Sequence, residues 1–215
     1  MKRTSFLSLS FALIALGGLL FSSPAGGMED SAAQYFPLMV GNRWVYESTE
    51  YPDDRVTDES WEVLREEEDA LVIRIVPGSL GGNGFELFFV ATPSGIRRSM
   101  YKPNLLDNTI TKFPFILKSP SPAGATWRNK EGYFEVTAVN KKLVVPAGTF
   151  QKCVEITYKN TSETVTIVTH YAPGVGVVMR DETFPHVEGS FSIHPTLKDR
   201  VVLKLKEWHV SASES

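Results

Sequence analysis

Leu71-Val72-Ile73-Arg74-Ile75-Val76 is the stretch on which the fold turns. Leu71, Ile73 and Ile75 fall on one side of an extended chain and Arg74 on the other, the period of two that a half-buried strand requires. The same alternation recurs on both sides of it, in Phe85-Leu87-Phe89, Phe134-Val136-Ala138, Val154-Ile156-Tyr158, Val165-Ile167-Thr169-Tyr171 and Val201-Leu203-Leu205. Beyond the first residues, no segment offers a comparable run at helical spacing.

Turn chemistry separates these runs. Gly81-Gly82-Asn83-Gly84, Pro93-Ser94-Gly95, Lys130-Glu131-Gly132, Asn160-Thr161-Ser162 and Pro173-Gly174 supply residues that accept positive φ or preset it. Strands joined by such short turns pair antiparallel. The sequence therefore predicts an all-β domain, a strongly twisted antiparallel sheet of about ten strands curled into a barrel or half-barrel, because that many strands rarely stay flat and open. A two-sheet β-sandwich is the alternative. A helix of one or two turns is expected near Ser31 to Tyr35.

The N-terminus reads as a leader. Lys2 and Arg3 precede an apolar run from Phe6 to Phe21, and Ser22, Ser23, Ala25, Gly26 and Gly27 form a small-residue exit. The run is shorter than the ~20 residues of a spanning helix. Residues 1–27 are thus expected to be a signal peptide cleaved after Ala25 or Gly27, leaving 28–215 as one antiparallel β domain. That implies an exported, periplasmic or extracellular protein with no transmembrane segment in the mature chain. The only cysteine of the 215 residues is Cys153. No lipidation site follows the leader, so the mature chain is expected to be free rather than lipid-anchored, and no internal disulfide can form.

Two stretches interrupt the strand rhythm. Near 102–124, Pro103, Pro114, Pro120 and Pro122 predict an irregular crossover, while Phe113, Phe115, Ile116 and Leu117 give it apolar weight that must be covered. Thr183 to Thr196 is the second. A short internal echo also stands out: Pro37-x-x-x-Gly41-x-x-Trp44 and Pro120-x-x-x-Gly124-x-x-Trp127 share spacing, each opening a strand.

Charge excludes one class of partner. Without Lys2 and Arg3 the mature chain has 20 basic and 25 acidic residues, a balance of −5. No electrostatic footprint for nucleic acid follows from that.

Catalytic motifs are sparse. Ser99-Met100-Tyr101-Lys102 fits S-x-x-K but lies on strand-like sequence, where the two side chains would not pack one helical turn apart. Asp181, Glu182, His186 and His194 would suit zinc only if 183–196 folded back on itself. No catalytic residue, metal ligand or cofactor is nominated. The aromatics offer more: Trp44 and Tyr46 share a strand face, Trp61 lies on the next strand, and Phe85 and Phe89 line another, so one concave surface could carry several of these rings, either packed as core or as a ligand-binding face.

Three longer motifs resemble something known. Tyr35-Phe36-Pro37-Leu38-Met39-Val40-Gly41-Asn42-Arg43-Trp44-Val45-Tyr46, Val145-Pro146-Ala147-Gly148-Thr149-Phe150 and Tyr171-Ala172-Pro173-Gly174-Val175-Gly176 are similar to recurring signatures of a broad group of uncharacterised exported bacterial β-proteins. The resemblance implies a bacterial envelope or secreted setting and transfers no catalytic or ligand residue. Members of that group often carry a lipidation cysteine after the signal, which this chain lacks.

Three functions remain open on the sequence. The leading one is a binding or carrier module for an apolar or amphiphilic ligand, its partner a lipid-like small molecule. The others are an interaction or structural module docking on an envelope protein, and a metal-assisted hydrolase. A non-enzymatic role is favoured.

Overall fold

The computed structural model describes residues 31–102, 113–119, 122–185 and 200–211. A one-turn helix, α1 (Ala32–Tyr35), leads into twelve strands: β1 (Arg43–Tyr51), β2 (Arg55–Glu67), β3 (Ala70–Pro77), β4 (Phe85–Thr92), β5 (Gly95–Ser99), β6 (Phe115–Lys118), β7 (Thr126–Arg128), β8 (Gly132–Val145), β9 (Gly148–Asn160), β10 (Thr166–Ala172), β11 (Gly176–Thr183) and β12 (Arg200–His209). All twelve form one sheet in the order β6-β5-β4-β3-β2-β1-β12-β11-β10-β9-β8-β7. Every pairing is antiparallel. One continuous ladder rules out the two-sheet sandwich, and two unpaired edges leave the barrel open.

The sheet order contains its own shape. β6 and β7 are consecutive in the chain yet occupy opposite edges of the sheet. Laid flat, twelve strands at ~4.8 Å spacing would hold those edges roughly 50 Å apart. The covalent connection from Lys118 to Thr126 reaches at most about 28 Å when fully extended. The sheet must curl. At the meeting of the edges, the Trp127 indole N–H donates to the Phe115 carbonyl at 3.0 Å, tying β7 to β6 through a side chain.

The chain is also two meanders of six strands, β1–β6 and β7–β12, joined where β1 pairs with β12. The Pro-x-x-x-Gly-x-x-Trp echo opens each. Gly41 and Gly124 both take positive φ, 90° and 81°, where a side chain would be strained. Gly41 N–H donates to Val63 O (2.8 Å) and Val63 N–H to Asn42 O (2.9 Å); Gly124 N–H donates to Val136 O and Val136 N–H to Ala125 O, both at 2.9 Å. Each tryptophan then pairs across to an aromatic on the following strand, Trp44 with Trp61 and Trp127 with Phe134. The shared spacing is a shared piece of geometry.

The main core lies on the concave side, with Trp44, Tyr46, Ile73, Val136, Val178 and Leu205 fully buried. At about 1.5–3 kcal/mol for each large apolar side chain buried, this cluster dominates stability. A smaller cluster lies on the other face of β3 and β4, where Phe113 covers Ala70, Val72, Phe88 and Val90. That is how part of the irregular stretch hides its apolar weight. Another part, Phe115–Lys118, forms the short edge strand β6 between Pro114 and Pro120, a position where an edge tolerates proline. The remainder of the crossover, the leader, and most of the 183–196 stretch lie outside the described residues.

Trp127→Phe keeps the stacking on Phe134 (centroids 5.3 Å apart) but deletes the bond to Phe115. Denaturant unfolding is expected to report a loss of about 1–2 kcal/mol. A variant as stable as the parent would mean the seam is held by other contacts.

Candidate functional site

Alternation along strands decides which side chains enter the concave space. Trp61 from β2, Ile75 from β3 and Leu87 and Phe89 from β4 form one wall of a cavity. Phe134, Ile156, Tyr158, Ile167 and Tyr171 from β8 to β10 form the facing wall, and Pro114 and Ile116 border it at the β6 side. The cavity thus lies against the seam where the sheet edges meet. Its inner part holds about 90 Å³ of free space. Trp61, Ile75, Leu87, Arg98 and Arg180 are shared with a wider outer part of about 360 Å³, bordered by Phe85, Met100, Glu59, Glu182, Val201 and Leu203. That volume falls within the range of small-molecule sites, and its walls are mainly apolar.

Of the five aromatics nominated from sequence, Trp61, Phe85 and Phe89 line this space, Phe85 at its rim with 44% exposure. Trp44 and Tyr46 sit one layer deeper, each 0% exposed. The Trp44 indole donates to Val175 O at 2.6 Å and the Tyr46 hydroxyl to Val177 O at 3.0 Å, so both are satisfied by the backbone around the β10–β11 turn. Tyr46 supports Trp61 from behind, centroids 5.0 Å apart. Together with Gly174 N–H donating to Gln34 O (2.7 Å), these bonds fasten the first and third sequence motifs to each other.

Sequence reading missed the charges inside. Arg97 and Arg98 are adjacent on β5, so they must point to opposite faces. Arg97 donates to Phe113 O at 2.8 Å and lies 3.7 Å over the Phe115 ring. Arg98 lines the cavity. Likewise Arg180-Asp181-Glu182 on β11 splits: Asp181 holds Arg200 through both carboxylate oxygens, while Arg180 and Glu182 pair with each other inside. Two or three consecutive charges within a strand were the available signal, since one of them has to face inward.

That split separates two members of the proposed metal cluster. Asp181 and Glu182 lie on opposite faces, each committed to an arginine, and His186 and His194 lie outside the described residues. The S-x-x-K pair is apart too: the Ser99 hydroxyl accepts from Tyr101 N–H at 2.9 Å, and Lys102 pairs with Glu67 at 2.6 Å.

Glu59 is one of the acids that border the cavity. Burial pushes its carboxyl above the usual range, against the Trp61 indole, which donates to it at 2.6 Å, and against the Arg180 charge. On the opposite face, the Glu155 carboxylate gathers Lys141, Thr137 and His170, the last through Nε2 at 2.8 Å. Burial would raise Glu155, but these partners hold it below its usual range; His170 is pushed down by its own burial. The lone thiol of Cys153 is buried and raised by desolvation, so it is shielded in the sheet.

No protein-family model matches the chain, and no curated protein matches it. Two solved structures are similar. One is described as an exported protein with a YmcC-like fold from Bacteroides fragilis, 14% identical, TM-score 0.44, matching 82% of this chain and 99% of that one. The other is described as a lipoprotein from Parabacteroides distasonis, 12% identical, TM-score 0.41, matching 82% and 98%.

The raised Glu59 means folding favours its protonated form, so its contribution to stability is fullest below the ordinary value of 4.5 and is lost as pH rises through the folded value. Glu59→Gln keeps an acceptor for Trp61. Its stability relative to the parent is expected to grow as pH goes from about 4 to 7 in paired thermal melts. A difference that is flat with pH, or that shrinks, contradicts this.

Proposed function

We propose that this chain is an exported binding or carrier module whose curled sheet holds an apolar or amphiphilic small molecule. The observation that carries this reading is the cavity itself. A sheet packed only for stability closes its concave side, because empty lining forfeits contacts. Here about 360 Å³ stays open between Trp61, Phe85, Leu87 and Leu203. Export rests on the leader over residues 1–27, and a free rather than lipid-anchored form on the absence of any cysteine but Cys153.

Trp61, Leu87 and Phe89 are rigid or branched apolar groups that can cover a hydrocarbon chain or ring without needing a polar match. Trp61 is held at two points, by Glu59 at its indole nitrogen and by Tyr46 at its ring. A ligand would meet a preset surface rather than order one, which lowers the cost of binding.

Titration with the neutral fluorophore N-phenylnaphthylamine tests this. The parent is expected to give a saturable rise at one site per chain, and Trp61→Ala to weaken it at least tenfold. Losing a buried tryptophan can cost about 3–5 kcal/mol of stability, so a second variant fills the cavity instead of hollowing it. Val201→Trp, on the wall of the wider outer part, should block binding while keeping the far-ultraviolet dichroism of the parent. A parent that binds no probe, or variants that bind like the parent, would refute the reading.

A further inference from the structure

Arg98 is the one cavity-lining cation without a partner among the described residues: its guanidinium makes no hydrogen bond or ion pair there. The contrast with its surroundings is sharp. Arg97, next to it, is satisfied by a carbonyl and a ring. Arg180, across the cavity, is neutralised by Glu182, and the Glu59 carboxylate is occupied by the Trp61 indole.

Arg98 is half-buried and lines the cavity with Phe89, Phe134 and Ile156, so its guanidinium gives up part of its hydration without a hydrogen bond from the described residues in return. Burial, and then the Arg180 charge, act against its protonated form. Guanidinium cannot shed its proton at neutral pH, so the charge stays and so does the cost. Substituting an apolar side chain would remove that cost, which makes an unmatched arginine at this position a candidate functional group.

The chemistry then selects the ligand. Arginine offers a planar fork of donors matched to carboxylate or phosphate oxygens. The apolar walls beside it require a tail. Building on the carrier reading, we propose that the cavity takes an amphiphile with one anionic head group, the head pairing with Arg98 and the hydrocarbon lying along Trp61, Leu87 and Phe89. Glu131 and Glu182 also border the space. They disfavour a head of higher negative charge, so a singly charged carboxylate fits better than a dianion.

The test compares dodecanoate, dodecanol and acetate by calorimetry on the full chain and on Arg98→Gln and Arg98→Lys. The parent should prefer dodecanoate over dodecanol at least tenfold and should not bind acetate measurably. Arg98→Gln should lose the preference while still binding dodecanol, and Arg98→Lys should retain part of it. Equal binding of acid and alcohol by the parent, or an unchanged preference in Arg98→Gln, overturns the assignment of Arg98 and leaves the carrier reading standing. Failure of both acid and alcohol to bind the parent overturns the carrier reading and this inference with it. A gain in melting temperature for ligand-free Arg98→Gln would support it independently; a loss, read beside unchanged ligand preference, would count against it.

Discussion

Everything in this molecule follows from a short tether between two distant edges. Because the strands at the two ends of the sheet are neighbours in the chain, the sheet has to bend until those edges meet, and bending gives it an inside. Backbone pairing zips the other junction between the halves, β1 with β12, along its whole length. At the β6–β7 seam, the described contacts are made by side chains, the Trp127 indole on the Phe115 carbonyl and the Lys118 ammonium over the Trp127 ring. The two halves begin with the same turn and the same tryptophan, yet one junction is a ladder and the other a seam. The cavity lies beside the seam.

Much of this was legible in the sequence. Period-two alternation located the long strands, the glycine and proline clusters located the turns between them, and the brief helix stands at Ala32–Tyr35. The curl was expected from strand number alone, whereas its actual cause is the order of strands, which pattern does not reveal. Short strands were the blind spot. β6 and β7 have four and three residues, too few for alternation to register, and β6 sits between prolines that read as loop.

The site was half legible for a related reason. Aromatics on alternating faces can be gathered from sequence, but depth cannot: Trp44 and Trp61 look alike along their strands, and only packing makes the first a buried support and the second a lining residue. Charges inside a β-domain run against the pattern that identifies strands, so hydrophobic alternation does not single out Arg98 or Arg180. Consecutive charges in a strand are the exception that pattern can detect, because alternation forbids them from sharing one face. Glu182 stands next to Asp181 in the sequence, yet the strand puts the two on opposite faces.

The central claim is that the concave interior, and not the outer face or an edge, is where this protein meets its ligand. A diazirine-bearing fatty acid, photolysed on the full chain and mapped by peptide mass spectrometry, addresses that directly. Label concentrated on peptides carrying Trp61, Phe89, Tyr158 and Tyr171, and displaced by excess dodecanoate, is the predicted result. Label that resolves, at single-residue level, to the outer-face side chains of Val72 and Phe88 rather than to Phe89, or that is spread evenly and indifferent to competitor, would contradict it.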